Sequence, residues 1–106
     1  MQITISGHHV DVTEGMRGRA YQLADKLIKF FGKVTQVRVI MAVDSEGQIA
    51  EFVLEAPRCQ TLTAKARATD MYTALDEAAE KLERQLRKHK EKLQERRTRA
   101  GRRETM

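Results

Sequence analysis

The residues best suited to chemistry in this sequence are the Lys and Arg side chains near its C-terminus. Residues 84–103 contain 10 Lys or Arg against two acids, whereas residues 1–83 contain 10 Lys or Arg against 12 acids. The cations are therefore concentrated at one end of a nearly neutral body. Such a distribution favours a polyanionic partner.

Helical spacing arranges many of these cations, together with Lys81, on one side of a predicted C-terminal helix. Four of them fall within about 80° of one another at ~100° per residue, and two more widen the basic surface: Lys81, Arg84, Lys88 and Lys92, with Arg87 and Lys90. Cations one turn apart can meet successive phosphates along a nucleic-acid groove. The alternative is a solvated helix face, since Glu77, Glu80, Glu83 and Glu91 are available to pair with these bases.

Other reactive residue types occur without the partners that catalysis needs. His8 and His9 are adjacent, so their side chains point apart in an extended segment, and no Cys or carboxylate cluster supports a metal site. Cys59 is alone, which excludes an internal disulfide, fits a reducing compartment and leaves a nucleophile with no placed base. No Gly-rich phosphate loop is present. We therefore expect no enzyme activity, metal, cofactor or small-molecule substrate.

The hydrophobic pattern defines the elements that must position the basic residues. Apolar residues alternate in four short segments, which predicts strands near residues 2–6, 34–43, 50–56 and 62–68, with Gly7-His8-His9 in a loop. Three- and four-residue spacing predicts a helix from the N-cap Thr13 to the C-cap Gly32. A second, longer helix follows Thr69-Asp70, with an apolar stripe formed by Met71, Leu75, Ala78, Leu82, Leu86 and Leu93.

This order predicts an α+β fold, β-α-β-β-β-α. We expect a four-stranded mixed sheet with both helices on its apolar face, similar to a double-stranded-RNA-binding domain. Residues 1–95 form the predicted folded domain, and residues 96–106 a basic, disordered tail without a run of apolar side chains to bury. The small Ala64, Ala66 and Ala68 of the fourth strand would let a helix approach closely.

The element order favours RNA over DNA as the polyanion, because duplex-RNA modules share it and read shape and phosphates. The five aromatic residues are too few for a base-stacking platform. The strand-like N-terminus does not look like a signal peptide, and no apolar run approaches the ~20 residues of a membrane span. These features predict a cytoplasmic protein without a membrane partner.

Several segments resemble the ribosome hibernation-promoting factors, a family that includes the ribosome-associated inhibitor called protein Y. The most specific are Thr69-Asp70-Met71-Tyr72-Thr73-Ala74-Leu75-Asp76 and the lysine-rich residues 81–93. The resemblance extends to residues 7–14, Arg17, Asp25-Lys26-Leu27 and Phe31, and it covers about residues 1–95. It implies that the folded domain 1–95 is a ribosome-binding domain.

The resemblance implies a domain that binds the 30S subunit between head and body and contacts 16S rRNA. There it would occupy the space of mRNA and tRNA and silence translation in stationary or starved cells. Carried over by position, the RNA contacts would be Arg17, Lys26, Lys81, Arg84, Lys88, Lys90 and Lys92. Arg67 matches a basic position in some members, and Lys29, Lys65 and Arg87 are added from charge alone.

Two departures refine this expectation. Long members of the family carry a second domain that dimerises ribosomes, and protein Y has an acidic tail, whereas residues 96–103 here are basic. We therefore expect a short form that acts on 70S or 100S ribosomes together with a separate modulation protein. Two alternatives stay open: a general RNA chaperone, and a scaffold or transcription-modulating protein whose basic helix docks on an acidic protein.

Overall fold

The computed structural model has its strands and helices in the order that the hydrophobic pattern predicts. The structure describes residues 2–57 and 61–105, and in the last helix it describes side chains as far as His89. The elements are β1 Gln2–His8, α1 Glu14–Phe31, β2 Gln36–Asp44, β3 Gly47–Glu55, β4 Leu62–Ala68 and α2 Met71–Thr105. The predicted β-α-β-β-β-α class is confirmed.

The four strands form one mixed sheet in the order β1-β2-β3-β4. β1 is parallel to β2, with Gln2 opposite Gln36, while β2, β3 and β4 are antiparallel neighbours. The parallel pair needs a crossover, which α1 provides. The hairpin between β2 and β3 turns at Gly47, whose φ is 150° and whose added Cβ would lie 2.8 Å from the carbonyl oxygen of Ala68.

One face of the sheet carries the hydrophobic core, and both helices pack on it. α1 contacts β1 and β2, α2 contacts β3 and β4, and the helices contact each other. Fully buried side chains from the strands meet those of α2, including Phe52, Met41, Leu54, Leu75, Leu82 and Leu86. Ala64 and Ala66 are buried beneath α2, as a close helix approach requires.

Local sequence signals set where the helices begin and end. The Thr13 hydroxyl accepts the backbone N–H of Met16 at 3.1 Å, and Gly32, at φ 87°, donates its N–H to the carbonyl of Ile28 at 2.8 Å. The Asp70 carboxylate accepts the backbone N–H of Thr73 at 3.1 Å. These bonds satisfy terminal backbone groups that the helices leave unpaired. The predicted caps at Thr13 and Gly32 are confirmed.

The structure differs from the sequence expectation at two places. Gly7 and His8 belong to β1 rather than to a loop, because they pair with Met41 and Ala42 of β2, and β1 ends at His8, before His9 with its φ of 58°. The backbone of α2 continues as a helix to Thr105, through the segment predicted to be disordered. Residues 96–100 contain no Gly or Pro to stop it. The side chains of this segment, Leu93 included, lie outside the described part.

Neither helix, over the residues described, combines the length and apolarity that a membrane span requires.

Candidate nucleic-acid interface

The long helix α2 presents three different flanks around its buried stripe. One flank faces α1 and carries Asp76, Glu80 and Glu83, which line a groove between the two helices. The flank over the sheet edge carries Lys81 and Gln85, and the outward side carries Arg84. Lys81 and Glu83 differ by about 200° around the helix axis. Asp76, Glu80 and Glu83 are thus kept away from Lys81, whereas Glu77, one turn before Lys81, is exposed on the same side of the helix as Lys81.

Two side chains of α2 reach down to the outer edge of β4. The Lys81 ammonium donates to the carbonyl oxygen of Lys65, and the Gln85 amide donates to that of Thr63, both at 3.0 Å. β4 pairs with β3 on one side only, so these carbonyl groups have no strand partner. The two hydrogen bonds satisfy edge acceptors that would otherwise be open to strand addition, and they hold α2 over β4.

A shallow cleft lies where α2 crosses this edge, and we call it the β4–α2 cleft. It brings three cations from two elements to one place, and it is lined by Ile49, Lys65, Ala66, Arg67 and Lys81. Lys65 and Arg67 are two residues apart on β4 and so share the open face of the sheet. Lys81 comes from α2 and lies at the other side of the cleft.

Carboxylates of the β2–β3 turn hold Arg67 in place. The guanidinium lies 2.6 Å from the Asp44 carboxylate and 3.5 Å from that of Glu46. The backbone N–H of Glu46 and the Arg67 guanidinium both hydrogen-bond to Asp44, and together they lower the pKa of that carboxyl. The charge of Arg67 is therefore largely compensated, whereas its position is fixed.

Lys88 continues the line of Lys81 along α2. Seven residues separate the two, so they differ by about 20° around the axis and by about 10 Å along it. Arg84 lies between them, turned toward solvent. Arg84 and Lys88 are exposed and have no acidic partner among the side chains that the structure describes. We call Lys81, Arg84 and Lys88 the α2 basic stripe; Lys90 and Lys92 have side chains outside the described part.

The predicted site residues of α1 lie elsewhere. Lys26 and Lys29 line the groove with α2, across from Glu80 and Glu83. Lys29 lies 2.9 Å from Asp25, and this hydrogen bond raises its pKa. Arg17 is nine residues before Lys26, two and a half turns, and so lies on the opposite side of α1. The structure does not bring the three α1 cations to the α2 basic stripe.

Arg87 also belongs to the interface between the helices. Its guanidinium lies 3.3 Å from the Glu83 carboxylate and 6.0 Å from the centre of the Phe30 ring, a cation–π distance. His89 packs against Phe31, with ring centres 5.8 Å apart. These residues help to fix where the basic part of α2 leaves the domain.

Three side chains that shape this region carry no recognisable sequence signal. Gln85 and Ile49 look like ordinary polar and strand residues, and Arg19 bridges α1 to α2 through Asp76 at 2.7 Å. Opposite charges at Arg19 and Asp76 are the only hint, and 57 residues separate them. Within the described residues, His8 and His9 are not part of any group of three or more side chains that could hold a metal. Cys59 lies outside the described residues.

Comparison with known proteins shows the family to which the chain belongs. Residues 3–94 match the family described as sigma 54 modulation protein / S30EA ribosomal protein. The chain belongs to this family. The match covers β1 from Ile3, the other three strands, the whole of α1 and α2 as far as Gln94. It therefore includes the β4–α2 cleft and the α2 basic stripe.

Curated relatives within the S30EA family share most of their length with this chain. The ribosome hibernation promoting factor of Pseudomonas putida is 44% identical over 94 residues, which are 89% of this chain and 91% of the relative. That of Azotobacter vinelandii is 43% identical over 96 residues, 91% and 89% of the two chains. That of Escherichia coli K12 is 35% identical over 95 residues, 90% and 99%.

Solved structures of similar proteins have the same fold. A ribosomal subunit interface protein from Coxiella burnetii superposes with a TM-score of 0.78 at 26% identity, over 85% of this chain and 98% of that one. The N-terminal domain of protein Y from Thermus thermophilus gives 0.73 at 20% identity, over 84% and 99%. The second likeness concerns the fold alone.

Proposed function

We propose that this chain is a cytoplasmic ribosome hibernation factor that binds the 30S subunit and contacts 16S rRNA at the decoding region. By occupying that space it excludes mRNA and tRNA and silences translation in stationary phase or starvation. It acts by occupancy rather than by catalysis. Membership of the S30EA family and the names of the curated relatives support this proposal.

The observation that carries the proposal is the uncompensated positive charge of the α2 basic stripe. Arg84 and Lys88 are exposed and form no ion pair among the described side chains, and three acidic side chains of α2, Asp76, Glu80 and Glu83, lie on the flank toward α1. A line of cations on a rigid helix can contact successive phosphates of an RNA backbone. All the candidate RNA contacts stay predictions, as does the division at residue 95: Arg17, Lys26, Lys29, Lys65, Arg67, Lys81, Arg84, Arg87, Lys88, Lys90 and Lys92.

A triple charge reversal tests this role. Arg84→Glu, Lys88→Glu and Lys92→Glu together should abolish co-sedimentation with 30S subunits and inhibition of cell-free translation, because repulsion from phosphate replaces attraction. The fold should survive, since Arg84 and Lys88 lie outside the core, and circular dichroism checks this. A folded triple variant that still inhibits at the wild-type stoichiometry would exclude helix α2 as the anchoring surface.

A matched pair of single variants separates a specific interaction from bulk charge. Lys88→Glu and Lys33→Glu make the same change on two exposed lysines, but Lys33 lies between α1 and β2 rather than on the stripe. Lys88→Glu should weaken 30S binding much more than Lys33→Glu. Equal losses of affinity would indicate non-specific electrostatic binding.

Competition tests the place of binding. Wild-type inhibition should saturate near one protein per 30S subunit and be relieved by excess mRNA and initiator tRNA. Equal affinity for random duplex RNA and for 30S subunits, in the same salt, would instead favour a general RNA chaperone.

A further inference from the structure

The two edge strands of the sheet differ in how they are protected. At the β4 edge, Lys81 and Gln85 donate hydrogen bonds to backbone carbonyl groups. Within the part of the chain that the structure describes, no side chain donates in this way to the outer edge of β1. β1 also contains no Lys, Arg, Asp, Glu or Pro, the residues that commonly protect an edge strand. The outer edge of β1 is therefore open to the addition of another strand.

Alternate residues of β1 direct their backbone groups toward this open edge. Gln2 donates its N–H to the carbonyl of Thr35 beside β2 at 3.1 Å, and β1 pairs with β2 along its whole length. The backbone groups that point away from β2 are consequently those of Ile3, Ile5 and Gly7. Each of these residues offers one donor and one acceptor to an incoming antiparallel strand.

A second copy of β1 fits this edge. Two identical strands related by a two-fold axis are antiparallel, and an axis at Ile5 places the two Ile5 residues opposite each other. Ile3 then lies opposite Gly7, and Thr4 opposite Ser6, so every outward backbone group has a partner. Because β1 carries no charged side chain, no like charges meet between the strands. Ile3 and Ile5 are only partly buried in the single chain, so the pairing would also cover apolar surface.

A flank of α1 lies above the same edge. α1 lies over β1 and β2, and α2 over β3 and β4, so the side of α1 that faces away from α2 points toward the edge of β1. This side carries Arg17, Tyr21 and Asp25, which follow one another at four-residue steps and about 40° apart around the axis. Tyr21 is 54% exposed. Arg17 is exposed and forms no ion pair among the described side chains.

The two-fold axis that pairs the strands also pairs these helix flanks. α1 runs antiparallel to β1, because it returns the chain to the start of the parallel strand β2. Ile5 is the middle residue of β1, and Tyr21 lies within about two residues of the middle of α1, so the axis passes close to Tyr21. Arg17 of each copy then comes opposite Asp25 of the other. Asp25 holds Lys29 through Oδ2, which leaves Oδ1 for the guanidinium.

We infer that the outer edge of β1 and the flank of α1 with Arg17, Tyr21 and Asp25 form an interface between two copies of this chain. The two sheets join into one continuous sheet, and unlike charges face each other between the helices. This interface does not depend on the proposed function. One seven-residue strand and one helix flank bury a small area, so the dimer is weak and forms as the protein concentration rises.

Sedimentation velocity from micromolar to millimolar protein tests the interface. The wild type should form dimers with rising concentration. Thr4→Lys with Ser6→Lys should abolish them, since lysines would lie directly opposite each other between the strands. Both positions are exposed, so the fold should survive, and circular dichroism checks this. The control, Thr61→Lys with Thr63→Lys, adds the same charge to exposed positions at the other edge and should leave the dimer intact.

Two outcomes of this experiment would overturn the inference. Wild-type protein that stays monomeric at millimolar concentration would exclude a second copy as the occupant of the β1 edge and leave a strand of another protein as the candidate. Equal loss of the dimer in the control at the β4 edge would show that the effect is one of net charge rather than of the β1 edge.

A charge exchange tests the pairing of the helix flanks. Arg17→Glu and Asp25→Lys should each weaken the dimer, because each change places like charges opposite each other. In an equimolar mixture of the two variants unlike charges face each other again at both positions, so dimers should form between one variant and the other. A mixture that associates no better than the separate variants would overturn this arrangement of the two copies.

Amide hydrogen exchange tests which strand forms the contact. At concentrations where dimers form, exchange should slow at Ile3, Ile5 and Gly7 and should recover on dilution. Thr4 and Ser6 are the internal control, because their N–H groups already face β2 and should change much less. Protection that instead appears along β4 would place the contact at the other edge and overturn the inference.

Discussion

Single residues at the shared end of the two helices show how closely sequence and packing are coupled. α1 and α2 run in the same direction, so Gly15 in the first turn of α1 lies beside Tyr72 in the first turn of α2. A Cβ added at Gly15 would collide with the Tyr72 hydroxyl, whereas one added at Gly18 would meet nothing within 4 Å. The packing of the helices therefore excludes a side chain at Gly15 but leaves room for one at Gly18.

This difference predicts opposite behaviour of two similar substitutions. Gly18→Ala should raise the free energy of unfolding by about 0.4–1 kcal/mol, because alanine is the better helix former and restricts the unfolded chain. Gly15→Ala should raise the free energy of unfolding by a smaller amount or should lower it, since the Tyr72 side chain must move. In a Tyr72→Phe background, which lacks the hydroxyl, Gly15→Ala should raise the free energy of unfolding as Gly18→Ala does. Urea melts of the four variants measure the coupling, and equal gains at both glycines in the wild-type background would contradict it.

Two carboxyl groups at turns and caps give the stability a predictable pH dependence. Hydrogen bonds from the Thr73 hydroxyl and backbone lower the pKa of Asp70, and those from Glu46 and Arg67 lower the pKa of Asp44. A folded-state pKa below the unfolded value, about 3.9, stabilises the protein above that value. The contribution is lost as the pH falls through the folded pKa.

Asp70→Asn isolates this effect, because the amide oxygen can still accept the N–H of Thr73 but does not titrate. The wild type should exceed the variant in stability at pH 7, and the difference should shrink by pH 3. Urea melts at both values measure it. A difference that stays constant with pH would show that the carboxylate charge does not contribute.

At the scale of elements, the alternation of apolar residues along a strand is enough to predict which of its faces is buried. Alternation in β2, β3 and β4 places Val39, Phe52 and Ala64 on the buried face, because one face of each strand is covered by the helices and the other faces solvent. Val43 follows the same alternation but is 37% exposed, since it lies near the end of its strand. Period alone does not show where the covering helices stop.

The flank of α2 that faces α1 could not be predicted in the same way. Periodicity identifies the buried stripe but not its neighbours, which depend on strand order and on the direction of α1. The Lys81 hydrogen bond is harder still to predict, because its acceptor is the backbone carbonyl of Lys65, a group that every residue type has. The family resemblance names Lys26 and Lys88 alike as RNA contacts without showing their relative positions, and the structure places Lys26 in the groove between α1 and α2.

The packing of α2 on the sheet can be tested at one position. Leu82 is fully buried, so Leu82→Ala should lower the free energy of unfolding by about 2–5 kcal/mol through lost burial and a residual cavity. Leu62, half-buried at the start of β4, provides the comparison: Leu62→Ala should lower the free energy of unfolding by less than Leu82→Ala does. A decrease below about 1 kcal/mol at Leu82 would contradict the packing.

The whole molecule is electrically polar along the helix axes. Asp11, Glu14, Asp44 and Glu46 lie near the end where both helices begin, and the backbone of α2 carries residues 84–103, which include ten Lys or Arg, toward the other end. An RNA surface would therefore orient the domain as it approaches, with the C-terminal end of α2 leading. This polarity is readable from sequence, since it depends on chain order and helix direction rather than on side-chain packing.

The last part of α2 should add to this attraction. Residues 96–106 carry five Arg and one Glu, and the helical backbone extends through them to Thr105. Deleting residues 96–106 should weaken 30S binding and flatten the salt slope by about 0.7–0.9 for each phosphate that these residues neutralise. A control that replaces the five Arg by Gln keeps the length and should match the deletion, because the effect is one of charge. Binding is measured from low to physiological salt. If both variants keep the wild-type affinity and slope, residues 96–106 do not touch RNA, and the α2 basic stripe remains as the proposed contact.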